Sequence, residues 1–198
     1  MPADARAIIR DEHRVLTAVL RSLQHLAREG ALGEAELDHE LFTIMLDYID
    51  TFPNRFHHPK EDEHLFKALR RRTTAAATAL DELEAEHARG DALVRGLRHL
   101  LSRCRLGGSA ARQAFAAAVD DYADFHWQHL RKEEDIVLPL ADAVLTAADW
   151  EAIDRAFQAH DDPLLGAGPK GEFSRLFALI VNMAPPPVGL GPARPERR

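Results

Sequence analysis

The sequence predicts an all-α protein, an up-down-up-down four-helix bundle with an additional C-terminal helical segment. Three observations carry this expectation. Apolar residues recur at helical spacing in four long stretches, no stretch shows a convincing alternation of period two, and the breaks between stretches are short and marked by glycine or proline.

The first stretch, residues 5–29, sets Ile8, Ile9, Val15, Leu16, Val19, Leu20, Leu23 and Leu26 at helical intervals, and Gly30 and Gly33 mark its stop. The second starts near Glu34 and carries Leu37, Leu41, Ile44, Met45 and Tyr48 on one side. Pro53 interrupts it and Pro59 follows, so a kink or restart is expected near Phe56 before helix resumes through Arg72. The third covers about residues 75–101 and closes at Gly107-Gly108. The fourth runs over about 109–144, with Pro139 bending or ending it. A short fifth helix starts near Ala147 and includes Trp150, Ile153 and Phe157. Three regions follow from this pattern: the bundle at 1–145, a helical extension at 146–183 packed on it, and a disordered Pro/Arg-rich tail at 184–198. The apolar patch at 173–181 reads as a helix capping the bundle or as a docking surface for a second copy, giving a homodimer.

Composition narrows the function classes. The net charge of −7 favours neither nucleic acid nor an anionic membrane surface, and the basic run Arg70-Arg71-Arg72 falls where a helix should end, where cations suit the macrodipole. No stretch approaches the ~20 apolar residues of a membrane span. Cys104 is the single cysteine, and the charged N-terminus lacks the apolar core of a signal peptide, so a reducing cytoplasm is the expected setting.

The chain contains 11 histidines, and their placement is informative because it repeats. Glu12-His13 leads to Arg21-Ser22-Leu23-Gln24-His25-Leu26; Glu86-His87 leads, at the same interval, to Arg95-Gly96-Leu97-Arg98-His99-Leu100. His57-x-x-Lys60-Glu61 follows His13 by 44 residues, and His129-x-x-Lys132-Glu133 follows His87 by 42. Each half is therefore a hairpin whose first helix carries one histidine and whose second carries His-x-x-x-Glu. Residues four apart on a helix differ by only about 40° in direction, so each His-x-x-x-Glu projects from one face. If all four helices aim these groups inward, His13, His57, Glu61, His87, His129 and Glu133 meet in the core.

Burying two carboxylates and four imidazoles without a counter-charge is costly, and two metal cations remove that cost. Mixed nitrogen and oxygen ligands suit iron, zinc or manganese, histidines with a carboxylate and open positions favour iron, and the absence of thiolates argues against a structural zinc site. His25 and His99 lie about 120° off the site face, and read as flanking residues. His58, His64 and His126 sit beside the ligands and are kept outside the ligand set, while His39 and His160 read as surface residues.

With these residues on the page, the chain resembles the hemerythrin-like (HHE cation-binding) family over about residues 8–145. The resemblance rests on the EH at 12–13, FHHPKEDEHLF at 56–66, the EH at 86–87 and HLRKEEDIVLPLA at 129–141. It implies a non-haem centre of two iron ions bridged by Glu61 and Glu133, with His13 and His57 on one iron, His87 and His129 on the other, and an oxo or hydroxo bridge. It also implies a small gaseous or peroxide partner: dioxygen, nitric oxide or peroxide, bound for storage, sensing or redox protection rather than turned over by a dedicated enzyme. The chain departs from the oxygen-carrying members in two ways. Their third helix supplies two histidines four apart, where this chain has Leu83 and Asp91 around His87, and their fourth supplies an aspartate five residues after histidine, where this chain has Glu133 at four. Those departures set redox reactivity and sensing beside oxygen carriage.

Two rival readings remain. Glu61-x-x-His64 and Glu84-x-x-His87 match the ligand motif of ferritin-like di-iron carboxylate oxidases, although on consecutive helices rather than the second and fourth. A metal-free helical interaction module using the tail and the 173–181 patch leaves the repeated inward histidines unexplained.

Overall fold

The computed structural model describes residues 4–33, 36–158 and 169–193, with the side chains of all of these except 169–173. The described residues form six helices and no strand: α1 (Ala5–Leu32), α2 (residues 39–72), α3 (Ala77–Cys104), α4 (residues 108–144), α5 (Ala147–Gln158) and α6 (Pro169–Met183). None is long and apolar enough to cross a membrane.

Local chemistry sets the helix ends. Asp4 caps α1 by accepting from the Ala7 N–H, and Asp38 caps α2 by accepting from the Glu40 and Leu41 N–H groups. Gly33, at φ 75°, closes α1 in the left-handed conformation that glycine adopts without strain. Residues 73–76 join α2 to α3, too few for the long crossover of a ferritin-like chain.

Neighbouring long helices run in opposite directions. Along α1, His13 meets Glu134 of α4 while Arg112, near the start of α4, donates to Gly30 O near the end of α1. Along α3, His87 meets Asp62 of α2 while Arg98 reaches back to Asp50. Glu86 and Glu82 of α3 face Lys132 of α4, and Cys104 lies against Ala111 O at the other end.

Of the kink or restart expected near Phe56, the helix shows no restart, and Phe56 falls in a local π turn. α2 continues through two π turns, Pro53–His57 and Glu61–Phe66, and α4 through one, Glu133–Val137. The wider turn closes i→i−5 bonds, such as His58 N–H to Pro53 O, and so takes up the prolines without breaking the rod. Pro139 likewise follows its π turn directly, inside a helix that runs on to Val144.

The apolar core falls into two clusters with a polar belt between them. One, built on Leu16, Leu20, Phe42, Met45, Val94 and Phe115, fills the end near the α1–α2 and α3–α4 connections, and Ile180 of α6 joins it. The other, built on Ile9, Phe66, Leu69, Leu83 and Val137, is closed by Trp150, Ile153 and Phe157 of α5. α5 is further tied to α1 by Ala5 N–H to Asp154 and by Arg6 stacked over the Trp150 ring at 3.6 Å. After α6, Leu190 N–H donates to Val181 O and Gly191 N–H to Ala184 O, and Ala184 is buried. The remaining tail positions, 194–198, lie outside the described residues.

Candidate metal centre

The polar belt holds the residues the duplication singled out. His13, His57, Glu61, His129 and Glu133 are buried, and His87 is 5 % exposed at its side chain. Donor atoms of His13, His57, Glu61 and Glu133 all lie within 4.8 Å of one another. His87 comes from the opposite side, its Nε2 3.9 Å from Glu61 and 3.6 Å from Glu133. Both glutamates therefore sit between the two histidine pairs, and each begins a π turn.

The imidazoles are oriented by carboxylates that the sequence reading did not assign. His57 Nδ1 donates to Glu12 at 2.7 Å, His129 Nδ1 to Glu86 at 2.9 Å, His13 Nδ1 to Glu134 at 2.9 Å and His87 Nδ1 to Asp62 at 2.8 Å. Each bond crosses from one helix to the next, α1 to α2, α2 to α3, α3 to α4 and α4 back to α1, so the four close a ring. With the Nδ1 proton committed outward, every Nε2 lone pair points into the belt. The signal was present in the sequence as the repeated Glu-His at 12–13 and 86–87, and the acidic residue directly after Glu61 and Glu133.

The result is an arrangement that needs cations. His13 Nε2 stands 3.1 Å from His57 Nε2, and His87 Nε2 stands 3.3 Å from His129 Nε2. Two lone pairs at that distance repel unless a proton or a metal lies between them. Imidazole nitrogens bind a divalent ion such as zinc at about 2.0–2.1 Å, so two in adjacent coordination positions stand about 3 Å apart. The spacing observed is that of such a pair, once in each half. Among the described residues, the four oxygens of Glu61 and Glu133 find no hydrogen-bond partner beyond the inward imidazole nitrogens themselves, the nearest 3.1 Å from Glu133, although both side chains are about 1 % exposed. Orphaned buried carboxylate oxygens are costly in a metal-free core and are natural ligands in a loaded one.

Protonation tells the same story for the metal-free protein. Burial alone would lower His13, but Glu133 and Glu134 outweigh it and carry the imidazole up to about 9. His129 also reaches about 9 against burial, through the Glu133 charge and Glu86. Burial keeps His57 below its ordinary value. Burial, reinforced by the charge of Glu133, holds Glu61 well above the carboxylate range. Glu133 is pulled the other way, the cost of burial being outweighed by His129, His13 and His87. In the metal-free protein, protons on His13 and His129 balance the buried Glu133 charge.

His58, kept outside the ligand set by the sequence, is brought into the belt. It is buried, its ring stacks on His87 at 4.0 Å, and its donor atom lies within 4.8 Å of those of His87 and His129. Neighbouring helical residues diverge by about 100°, so His57 and His58 face different halves: His57 towards His13, His58 towards His87. Burial, and then the charges of His87, His129 and His57, hold it well below the ordinary histidine range, leaving a neutral donor. Leu83 and Asp91 stand where a second ligand of α3 was sought; Leu83 is core, and Asp91 is exposed and accepts from Asn54.

The other histidines separate. His64 and His99 are exposed, His25 lies 3.2 Å from Glu29 on its own helix, and His160 is outside the described residues. His126 is buried beside His129, with ring centroids 6.0 Å apart. Glu84, which a ferritin-like motif would turn inward, pairs with Arg70 at 3.0 Å.

No curated protein sequence matches this chain closely enough to lend it a role. The model of the hemerythrin HHE cation-binding domain matches residues 4–141, a span that takes in every residue of the polar belt. The chain therefore belongs to the hemerythrin HHE cation-binding family.

Proposed function

We propose that this protein is a non-haem di-iron protein whose four long helices form an up-down-up-down bundle around the metal pair. It binds dioxygen or a related small ligand, nitric oxide or peroxide, in sensing, storage or redox protection. The observation that carries the reading is the facing of two imidazole Nε2 atoms in each half at 3.1 and 3.3 Å, with two orphaned carboxylates between them.

In this reading His13 and His57 hold one ion, His87, His129 and His58 hold the other, and Glu61 and Glu133 span both. A nitrogen and carboxylate set without thiolate, in a buried site, suits iron. Bound iron supplies one-electron chemistry and an affinity for small oxygen or nitrogen ligands. The chain's own groups do the rest. Glu12, Glu86, Glu134 and Asp62 fix each imidazole tautomer and its direction, and the two apolar clusters keep bulk water from the belt. The histidine imbalance, two against three, leaves the His13–His57 ion with fewer protein ligands and so more room for an exogenous one.

The alternating directions of neighbouring helices and the short α2–α3 connection support the bundle topology. The bundle is taken to end at 145, with α5 and α6 as an extension packed on it. Cys104, buried and free, suits a reducing cytoplasm.

Elemental analysis after anaerobic reconstitution with ferrous iron, on a chain without metal-binding tags, tests the assignment. About two irons per chain are expected. One zinc, or no metal, would sink the di-iron reading and leave the interaction module as the better account.

A further inference from the structure

Between α3 and α4 a cleft of about 380 Å³ opens beside the polar belt, lined by Arg89, Leu93, Gly96 and Leu97 on one side and Tyr122 and Phe125 on the other. Arg89 lies over the Phe125 ring at 5.7 Å, flanking the mouth. At Gly96 a Cβ would meet nothing within 4 Å, so the helix leaves this part of the cleft open.

Tyr122, in the mostly apolar lining of the cleft, leads to a second buried polar side chain, His126, behind it. Tyr122 is 3 % exposed and its ring meets that of His126 at 4.5 Å; His126 is 1 % exposed and packs against His129. The Tyr122 hydroxyl and both His126 nitrogens have no hydrogen-bond partner among the described residues. Three orphaned polar atoms in succession, from a cleft to a metal ligand, are costly in a structural core. Apolar side chains of similar size would pack there without that cost, and the other hairpin has Asn54 at the position matching His126.

We propose that the α3–α4 cleft is the entrance by which a small hydrogen-bond-accepting ligand of azide or peroxide size reaches the metal pair, passed inward by Tyr122 and then His126. Tyr122 offers one donor and an acceptor; neutral His126 offers a donor on one nitrogen and an acceptor on the other. A ligand that accepts a hydrogen bond meets a donor at each step, first the Tyr122 hydroxyl and then an N–H of His126. The inference rests on the metal reading above and adds the route and two positioning residues.

The test uses azide, of similar size, as the probe on the full chain loaded with ferric iron, following its absorbance by stopped flow. Gly96→Trp fills the cleft mouth and is expected to slow azide association and dissociation alike by at least tenfold, with Kd within twofold and metal content unchanged, as a plug in a passage requires. His126→Leu is expected to slow association at unchanged metal content, and Tyr122→Phe to do so more weakly. In the metal-free protein, His126→Leu is expected to raise the thermal midpoint by several degrees, because it removes two orphaned nitrogens. Loaded Gly96→Trp and His126→Leu proteins with wild-type azide rates would overturn the passage alone and leave the metal reading standing. A lower metal-free midpoint for His126→Leu would make His126 a structural residue and overturn its part. Wild-type protein that takes up no iron would overturn the metal reading, and the passage with it.

Discussion

The two hairpins of the duplicated site carry the same ligands and differ in what surrounds them. In both, a Glu-His on the first helix faces a His-x-x-x-Glu on the second, a carboxylate follows each inward glutamate, and a π turn begins at that glutamate. The differences lie one residue or one turn away. His58 stands in the first hairpin where the second has Leu130, yet it turns towards the second hairpin's histidines. Lys132 pairs with Glu86 and Glu82, whereas its counterpart Lys60 lies under α5, its Nζ 3.4 Å from Phe157 O. His126 has Asn54 as its counterpart. An extra π turn, Pro53–His57, ends on the first inward histidine of α2 and has no equivalent in α4. Duplication thus accounts for a pair of sites, and substitutions at unshared positions make the pair unequal.

That contrast can be broken outright by removing what the halves share. Glu61→Ala with Glu133→Ala is expected to abolish uptake of both ions, read as metal per chain, because each carboxylate stands between both histidine pairs. Loss of a single ion would show two independent sites. A milder change restores symmetry: His58→Leu copies Leu130 and is expected to weaken the His87–His129 ion selectively, leaving about one tightly held iron per chain in competition with a chelator. Equal weakening of both ions would mean that His58 serves neither half in particular. Smaller again, Glu134→Gln and Asp62→Asn each loosen one imidazole and are expected to lower affinity by about 10–100-fold.

The smallest effect is in pH. His13 and His129 titrate near 9 when folded and near 6.5 otherwise, so between those values the metal-free fold holds more protons than the unfolded chain. Their contribution to stability is full below about 6.5 and is lost as pH rises through 9. Metal must displace the same protons, so its affinity is expected to rise over the same window. Thermal midpoints of the free and loaded protein should therefore move apart from pH 6.5 to 9. Parallel movement would show that the protons sit elsewhere.

Much of this was legible before any coordinates. The repeat placed His13, His57, Glu61, His87, His129 and Glu133 in one buried belt, and helical periodicity located the long helices to within a few residues. What the sequence hid is what depends on neighbouring helices. Glu134 orients His13 from across the chain, and no local pattern joins them. His58 is kept outside the ligand set by sequence alone; adjacent helical residues point apart, and here the second of them meets the other half of the belt. Pro53 and Pro59 predict a kink or restart near Phe56, and sequence alone does not show that a π turn at Pro53–His57 carries the helix on.

The ring of four carboxylate bonds has a consequence in time. Because its last bond joins α4 to α1, a chain still emerging from synthesis has His13 but not Glu134, and Glu86 but not His129. Half-made protein can therefore align His57 through Glu12 and His87 through Asp62, but His13 lacks its orienting carboxylate and the cage stays open. On the metal reading proposed above, capture of the ions waits for the final long helix, so loading would report that all four long helices are in place.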